Sequence, residues 1–307
     1  MSYRFSRKNI RRPVRKAGEP DVLAQLRAFL DTAEPELAAI LVSRWGYQGN
    51  AITYKDLREA ILRGDLDPAL VLAWQQDYVR FVRNHLQPAW QAAMVTAAGN
   101  LHVRQPQWGR PWSFDPMADG VQAWTEQRAA DFVTSVTRDQ IDGLRAVVQR
   151  AAALEQLSVD ELSRVIRPMV GLYQGQAEAN LNYYRRLIES GVSQQMARDK
   201  AIRYAGRQHR YRAFMIARTE LAFAYNQGAY LGTKQAQASG LLPEVVKEWS
   251  TAFDERVCPA CGGMDGMRRA MDEPFPFETR LTDPAVKLMP PAHPNCRCAV
   301  KFVEVTP

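Results

Sequence analysis

Cys258, Cys261, Cys296 and Cys298 are all the cysteines in a chain of 307 residues. They fall in two short stretches, "CPACGGMDG" at 258–266 and "HPNCRC" at 293–298, and the second begins with His293. Five soft donors in this arrangement point first to a metal. A C-x-x-C turn facing a second set of ligands across a loop lets a structural zinc ion crosslink a segment too poor in apolar surface to fold by burial alone. Cys258, Cys261, His293 and Cys296 fit the usual spacing best, while Cys298 either replaces His293 or stays a spare thiol. Structural Zn2+ is the expected cofactor, with iron or disulfides between the same segments as open alternatives.

Catalytic readings of the same residues require more than the sequence provides. A zinc nucleobase deaminase needs H-x-E ahead of P-C-x-x-C, whereas here the histidine follows the cysteines and continues as "HPN" without a glutamate. A redox C-x-x-C of thioredoxin type needs a βαβ context, which is missing. A metal-dependent nuclease with His293 as general base is the alternative enzyme reading, although it calls for a second metal-binding histidine. His85, His102 and His209 lie far off in sequence and read as helix or loop residues. Asp254, Glu255, Asp265 and Asp272 read as turn-capping or solvated acids. Arg218 and Glu220 in "ARTE" are either a buried ion pair or a surface pair. No phosphate-cradling glycine loop and no nucleophile elbow occurs.

The elements that must position the cluster are mostly helical. From Asp21 to about Asn100, apolar residues recur at three- and four-residue spacing, as at Leu23, Leu26, Phe29 and Leu30, and predict three or four packed helices. Pro35 reads as a helix start, and Thr53 and Asp67 as caps. Prolines and Gly109 break the pattern between His102 and Gly120, where Trp108, Trp112 and Phe114 pack over neighbouring helices or form a docking surface. Helical spacing resumes at Val121. Thr137 with Gln140, and Ser158 with Glu161, have capping-box spacing; Gly191 ends one helix and Ser193 starts the next. In "FMIARTELAFAYNQGAYLGTKQAQ" the stripe Phe214, Ala217, Leu221, Ala224, Tyr225, Gly228 and Leu231 forms one face, and Gly228 and Gly232 allow close approach of another helix. Gly240 and Pro243 close the helical region, and "VVKEWSTAF" and "CAVKFVEV" alternate as short strands. The expected fold is therefore mainly α, a multi-helix body with a small β-containing C-terminal module stapled by cysteine and histidine. Its expected regions are a basic arm at 1–19, a helical region at 20–117 ending in the Pro/Trp-rich linker, a helical body at 118–242 and the module at 243–307.

Charge is unevenly placed. Lys+Arg number 40 against 33 Asp+Glu, a net charge of +7. Arg4, Arg7, Lys8, Arg11, Arg12, Arg15 and Lys16 all precede the first acid, Glu19, so the excess sits in the arm and the rest of the chain is formally neutral. Such an arm suits DNA phosphates or an acidic protein surface, or is a solvated tail. No apolar run approaches the ~18 residues of a membrane span, and a soluble protein without a secretory signal is expected.

Three stretches together resemble a known family. "ARTELAFAYNQG" (217–228), "EWSTAFDERVCPACGGMDG" (248–266) and "PPAHPNCRC" (290–298) are similar to the signature of the phage Mu F-like head morphogenesis, or minor head protein, family, over about residues 159–303. The resemblance implies that Trp249, Asp254, Asp265, Gly266 and Arg297 frame the five-donor cluster, and that Arg218, Thr219, Glu220 and Asn226 lie on the preceding helix. It implies a virion component inside the head or at the portal vertex, made in the host cytoplasm, with the portal, major capsid or scaffold protein as partner. On this reading the protein assists head assembly and packaging or ejection of DNA, which the arm contacts. The alternatives are the His293 nuclease and a stand-alone zinc-stabilised DNA-binding module. The latter's basic residues Arg256, Arg268, Arg269, Arg280, Lys287 and Arg297 are offset by nearby acids.

Overall fold

The structure is a computed structural model that describes residues 22–105, 111–152, 157–251, 257–276 and 288–305. Trp108, Asp254 and the seven arm cations Arg4, Arg7, Lys8, Arg11, Arg12, Arg15 and Lys16 lie outside the described residues. The fold is mainly helical, with a small sheet at the C-terminal end. Among the described residues no helix is long and apolar enough to cross a membrane.

The first helix, α1, runs Val22–Ala51 and contains Pro35 in its interior. The expectation that Pro35 begins a helix is thus corrected. Leu23, Leu26 and Leu30 before it and Leu37, Leu41 and Trp45 after it are all buried. Burial of that continuous stripe offsets the donor that proline removes.

Thr53 does cap α2 (Tyr54–Arg63), accepting from Asp56 N while Asp56 accepts from Thr53 N, a reciprocal capping box. Asp67 caps α3 (Pro68–Phe81) through Ala69 N. One π turn at Val82–Leu86 then leads into α4 (Gln87–Gly99).

A single helix, α5, spans Asp119–Ala152, so Thr137 and Gln140 are interior rather than a cap and restart. The reason is tertiary. Gln140 accepts from the Tyr78 hydroxyl at 2.5 Å, which itself accepts from Trp45 Nε1 at 2.9 Å, forming a buried polar bridge among α5, α3 and α1. Ser158 caps α6 (Val159–Ile166), but Glu161 does not return the bond; it pairs with Arg198 and accepts from Tyr184. Helix α7 covers Gln174–Glu189, and Ser193 caps α8, Gln194–Ala238.

The 45-residue α8 organises the molecule. Its first half packs with α2, α6, α7 and the end of α5 around Val147, Ile166, Leu181 and Tyr184. Its second half packs with α1, α4 and the start of α5 around Trp45, Phe81, Trp90 and Leu221. Ala217, Leu221, Ala224, Tyr225 and Gly228 are buried as expected, whereas Phe214 is 40% exposed and only partly belongs to the stripe. A side chain at Gly228 would run into the Met94 backbone, and one at Gly232 into Ala98. The two glycines let α4 approach α8 backbone to backbone. Of the linker aromatics, Phe114 is buried in this core and Trp112 packs against it.

Past Gly240, which takes a positive φ of 69°, the chain forms an antiparallel sheet of order β2-β1-β3: β1 is Val245–Ser250, β2 Arg268–Arg269 and β3 Ala299–Glu304. Strand β1 alternates as its sequence predicts, turning Val245, Lys247 and Trp249 inward.

Candidate metal centre

The two cysteine stretches meet beside the inner end of this sheet. Cys258 precedes a short helix, α9 (Pro259–Met264), as its N-cap: its Sγ accepts from Cys261 N at 3.3 Å. Pro259 at the first position suits that turn. The stretch is closed onto β1 by two backbone bonds, Trp249 N to Met267 O at 3.0 Å and Gly266 N to Trp249 O at 2.8 Å. Gly266 has φ +73°, a left-handed conformation that costs glycine little. Asp265 accepts from both Thr251 N and Thr251 Oγ1, at 2.8 and 2.9 Å, which fixes the strand end; burial raises its pKa.

The second stretch enters through a turn written in its sequence. Cys296 N donates to His293 O at 3.1 Å, with Pro294 and Asn295 at the centre. Asn295 has φ 62°. Proline followed by a residue of positive φ is the type II turn pattern, and asparagine tolerates that φ.

These turns bring all five donors together. His293 Nε2 lies 3.2 Å from Cys258 Sγ and 3.4 Å from Cys261 Sγ, and Cys261 Sγ lies 3.8 Å from Cys296 Sγ. The donors form two overlapping groups, Cys258–Cys261–His293 and Cys261–Cys296–Cys298, each with its ligand atoms within 4.8 Å of one another. Cys261 belongs to both. A tetrahedral zinc with Zn–S bonds of ~2.3 Å has sulfur–sulfur edges of ~3.8 Å, so the separation of Cys261 and Cys296 fits two ligands of one ion. The His293 tautomer fits as well: Nδ1 lies 2.8 Å from Pro294 O, its natural acceptor, which leaves the Nε2 lone pair facing the sulfurs. The cluster could therefore hold a metal ion. The space enclosed among the donors is about 10 Å³, lined also by Val257, Asn295 and Arg297, roughly the room of a single water or ion.

Burial and mutual bonding split the thiols electrostatically. Hydrogen bonds from Cys261 and Cys298 hold the Cys296 thiol well below its ordinary pKa. Cys261 is pushed up by its bonds to Cys296 and Cys298 and by burial. Cys298 is raised as well, because its bond to Cys296 and its burial outweigh the lowering influence of Cys261 and of the Trp249 side chain. Trp249 is fully buried and packs edge-on to Phe275 at 5.2 Å, as part of a small core with Met264 and Ala292.

The helix residues singled out by sequence do not line the cluster; they attach it. Thr219 Oγ1 accepts from Asn295 N at 3.1 Å and donates to Met215 O. Asn226 accepts from Val300 N at 2.7 Å, and its Nδ2 donates to Ala222 O and reaches Cys298 O at 3.5 Å. Arg218 and Glu220 are not paired with each other, in correction of both sequence readings, because residues two apart on a helix point to different sides. Arg218 forms a two-pronged bond with Glu34 of α1, at 3.0 and 2.6 Å. Glu220 does the same with Arg128 of α5, whose guanidinium lies 4.1 Å from the Phe223 ring centroid.

Sequence reasoning missed Lys247 and did not foresee the partners of Asp272. Lys247 is buried on β1, donates to Leu288 O at 2.7 Å and has its pKa lowered to about 8 by burial. Asp272 accepts from the Tyr230 hydroxyl at 2.6 Å and from Lys234 at 3.0 Å, tying the module to the far end of α8. The inward position of Lys247 was visible in the alternation of β1; nothing local marked the reach of Asp272.

No curated protein and no solved structure matches the chain. Residues 161–301 match the family model of Phage Mu protein F like protein, and this stretch, which is similar to that family, runs from α6 into β3 and holds both the cluster and the helix that carries it.

Proposed function

We propose that the protein is a minor head protein of a tailed phage, a structural component of the head at the portal vertex or capsid interior that assists assembly and packaging or ejection of DNA. The family relation supports the head assignment. One observation carries the structural rather than chemical reading: the signature residues Thr219 and Asn226 spend their polar groups on fastening the 293–300 segment to α8, and the donors enclose room for an ion, not a substrate. On this reading Cys258, Cys261, His293 and Cys296 hold one structural Zn2+. Cys298, buried with Trp249 in the same small core, lies with Cys261 and Cys296 as the spare thiol of the cluster. Bound zinc supplies a crosslink between α9 and the turn before β3, which in its absence only weak thiol and imidazole contacts would join. The helical body docks on the portal, capsid or scaffold protein, and the arm contacts DNA.

The head assignment is tested by quantitative mass spectrometry of purified particles and by labelling the protein in intact heads. A few copies per particle, localised to one vertex or the interior, are expected; absence from mature particles and from assembly intermediates contradicts it. The nuclease reading has its own check. Plasmid nicking with Mg2+ or Mn2+ is expected to be no greater for the wild type than for His293→Ala, since Nε2 faces two sulfurs.

A further inference from the structure

The formal neutrality of the body hides a local excess of cations. Between Asp199 and Glu220, α8 carries no acid at all. Three of its arginines in or beside this stretch are paired: Arg198 with Glu161, Arg212 with Asp139 and Arg218 with Glu34. Arg203, Arg207 and Arg210 are exposed and have no carboxylate partner among the described residues. Their spacing puts them on one helical face, over an advance of about 10 Å at 1.5 Å per residue.

Beside them is a recess between α7 and α8 of about 360 Å³, lined by Tyr173, Gln176, Tyr204, Arg207, Gln208 and Tyr211. Its volume is at the lower end of the ~300–1,000 Å³ usual for small-ligand pockets. Tyr211 is 61% exposed. Tyr204 presents its ring between Tyr183, at 5.2 Å, and the Arg207 guanidinium, at 5.4 Å.

We propose that this recess and the Arg203–Arg207–Arg210 row form a binding site for single-stranded nucleic acid, with a base entering among the tyrosines and flanking phosphates on the arginines. Aromatic platforms beside a basic track are how proteins hold single strands, because every base has a π face and every linkage a charge. An acidic polypeptide would satisfy the arginines but leave the tyrosines without a matching partner.

The test uses the full chain with its arm in place. Fluorescence anisotropy with a labelled thirty-nucleotide dT strand is followed over a salt series for the wild type, for R203Q/R207Q/R210Q and for Y173A/Y211A, all exposed positions whose folding is checked by circular dichroism. The arginine variant is expected to weaken binding and to lower the slope of log K against log salt by about 2, at ~0.7 for each phosphate that is no longer neutralised. The tyrosine variant is expected to lose affinity with little change of slope. Absence of binding by the wild type, or affinities and slopes unaltered in both variants, overturns the site. So does poly-glutamate competing as well as the oligonucleotide at equal charge, which would assign the surface to an acidic protein.

Discussion

Asn226 accepts the Val300 amide at 2.7 Å and reaches the Cys298 carbonyl at 3.5 Å, so one side chain on α8 spans the point where the cysteine stretch becomes strand β3. A segment that leaves the metal cluster is thereby registered against the longest helix of the protein before it pairs with β1. Asn226→Ala leaves the buried Val300 N–H without its acceptor and is expected to destabilise the C-terminal module by about 1–3 kcal/mol. The denaturant midpoint for loss of proteolytic protection of the C-terminal module checks this; an unshifted midpoint would mean that β3 is held by its strand pairing alone.

Gly228 makes a sharper packing prediction. With Met94 backbone where a side chain would go, Gly228→Ala must push α4 away from α8. The expected cost is about 1–3 kcal/mol, even though alanine is the better helix former, and Gly206→Ala, where the nearest atom is the end of an arginine, should be neutral or mildly stabilising. Thermal unfolding of the two variants separates the effects.

The Glu220–Arg128 pair connects α8 to α5 with side chains only 7% and 14% exposed. Arg128→Met strands a buried carboxylate and is expected to cost about 3–5 kcal/mol, with much of it recovered in Arg128→Met/Glu220→Leu. Urea unfolding of the single and double variants measures that recovery. Equal losses in both would contradict a charge-based account.

Much of this architecture was readable from spacing, and the failures have a common cause. Thr53, Asp67, Ser158 and Ser193 act as caps because capping is decided within one turn of chain. The two glycines and the alternation of β1 were equally local, whereas β3 forms a strand without alternating burial. Pro35, Thr137 and Gln140 carry the same local signals, but a continuous apolar stripe in one case and a buried bridge to Tyr78 in the other override them. The convergence of five donors followed from residue types and spacing, whereas the partners of Arg218 and Glu220 lie on α1 and α5 and had no local trace. Summed charge concealed the bare arginines of α8, because pairing is a property of the fold and not of composition.

Partial burial of His209 and its packing against Trp45 contribute to the acid sensitivity. Desolvation lowers the His209 pKa to about 4, with its ring 5.5 Å from Trp45. The unfolded chain takes up this proton near pH 6.5 and the folded chain only near 4, so the folded state binds fewer protons between them. Stability from this group is therefore full above about pH 6.5 and is lost as pH falls toward 4, by about 3 kcal/mol in total. Unfolding free energies at pH 7.5, 5.5 and 4.5 should show this decline in the wild type and a shallower one in His209→Gln.

If the two cysteine stretches are the ends of one zinc staple, metal and module must come and go together. Elemental analysis of the reduced, purified full chain, coupled to limited proteolysis of the C-terminal module, tests this most directly. About one zinc per chain is expected, with loss of that zinc and of protection beyond residue 243 in Cys261→Ser, and retention of both in Cys298→Ser. A chain free of metal whose C-terminal module is protected to the same extent with and without a chelator would contradict it.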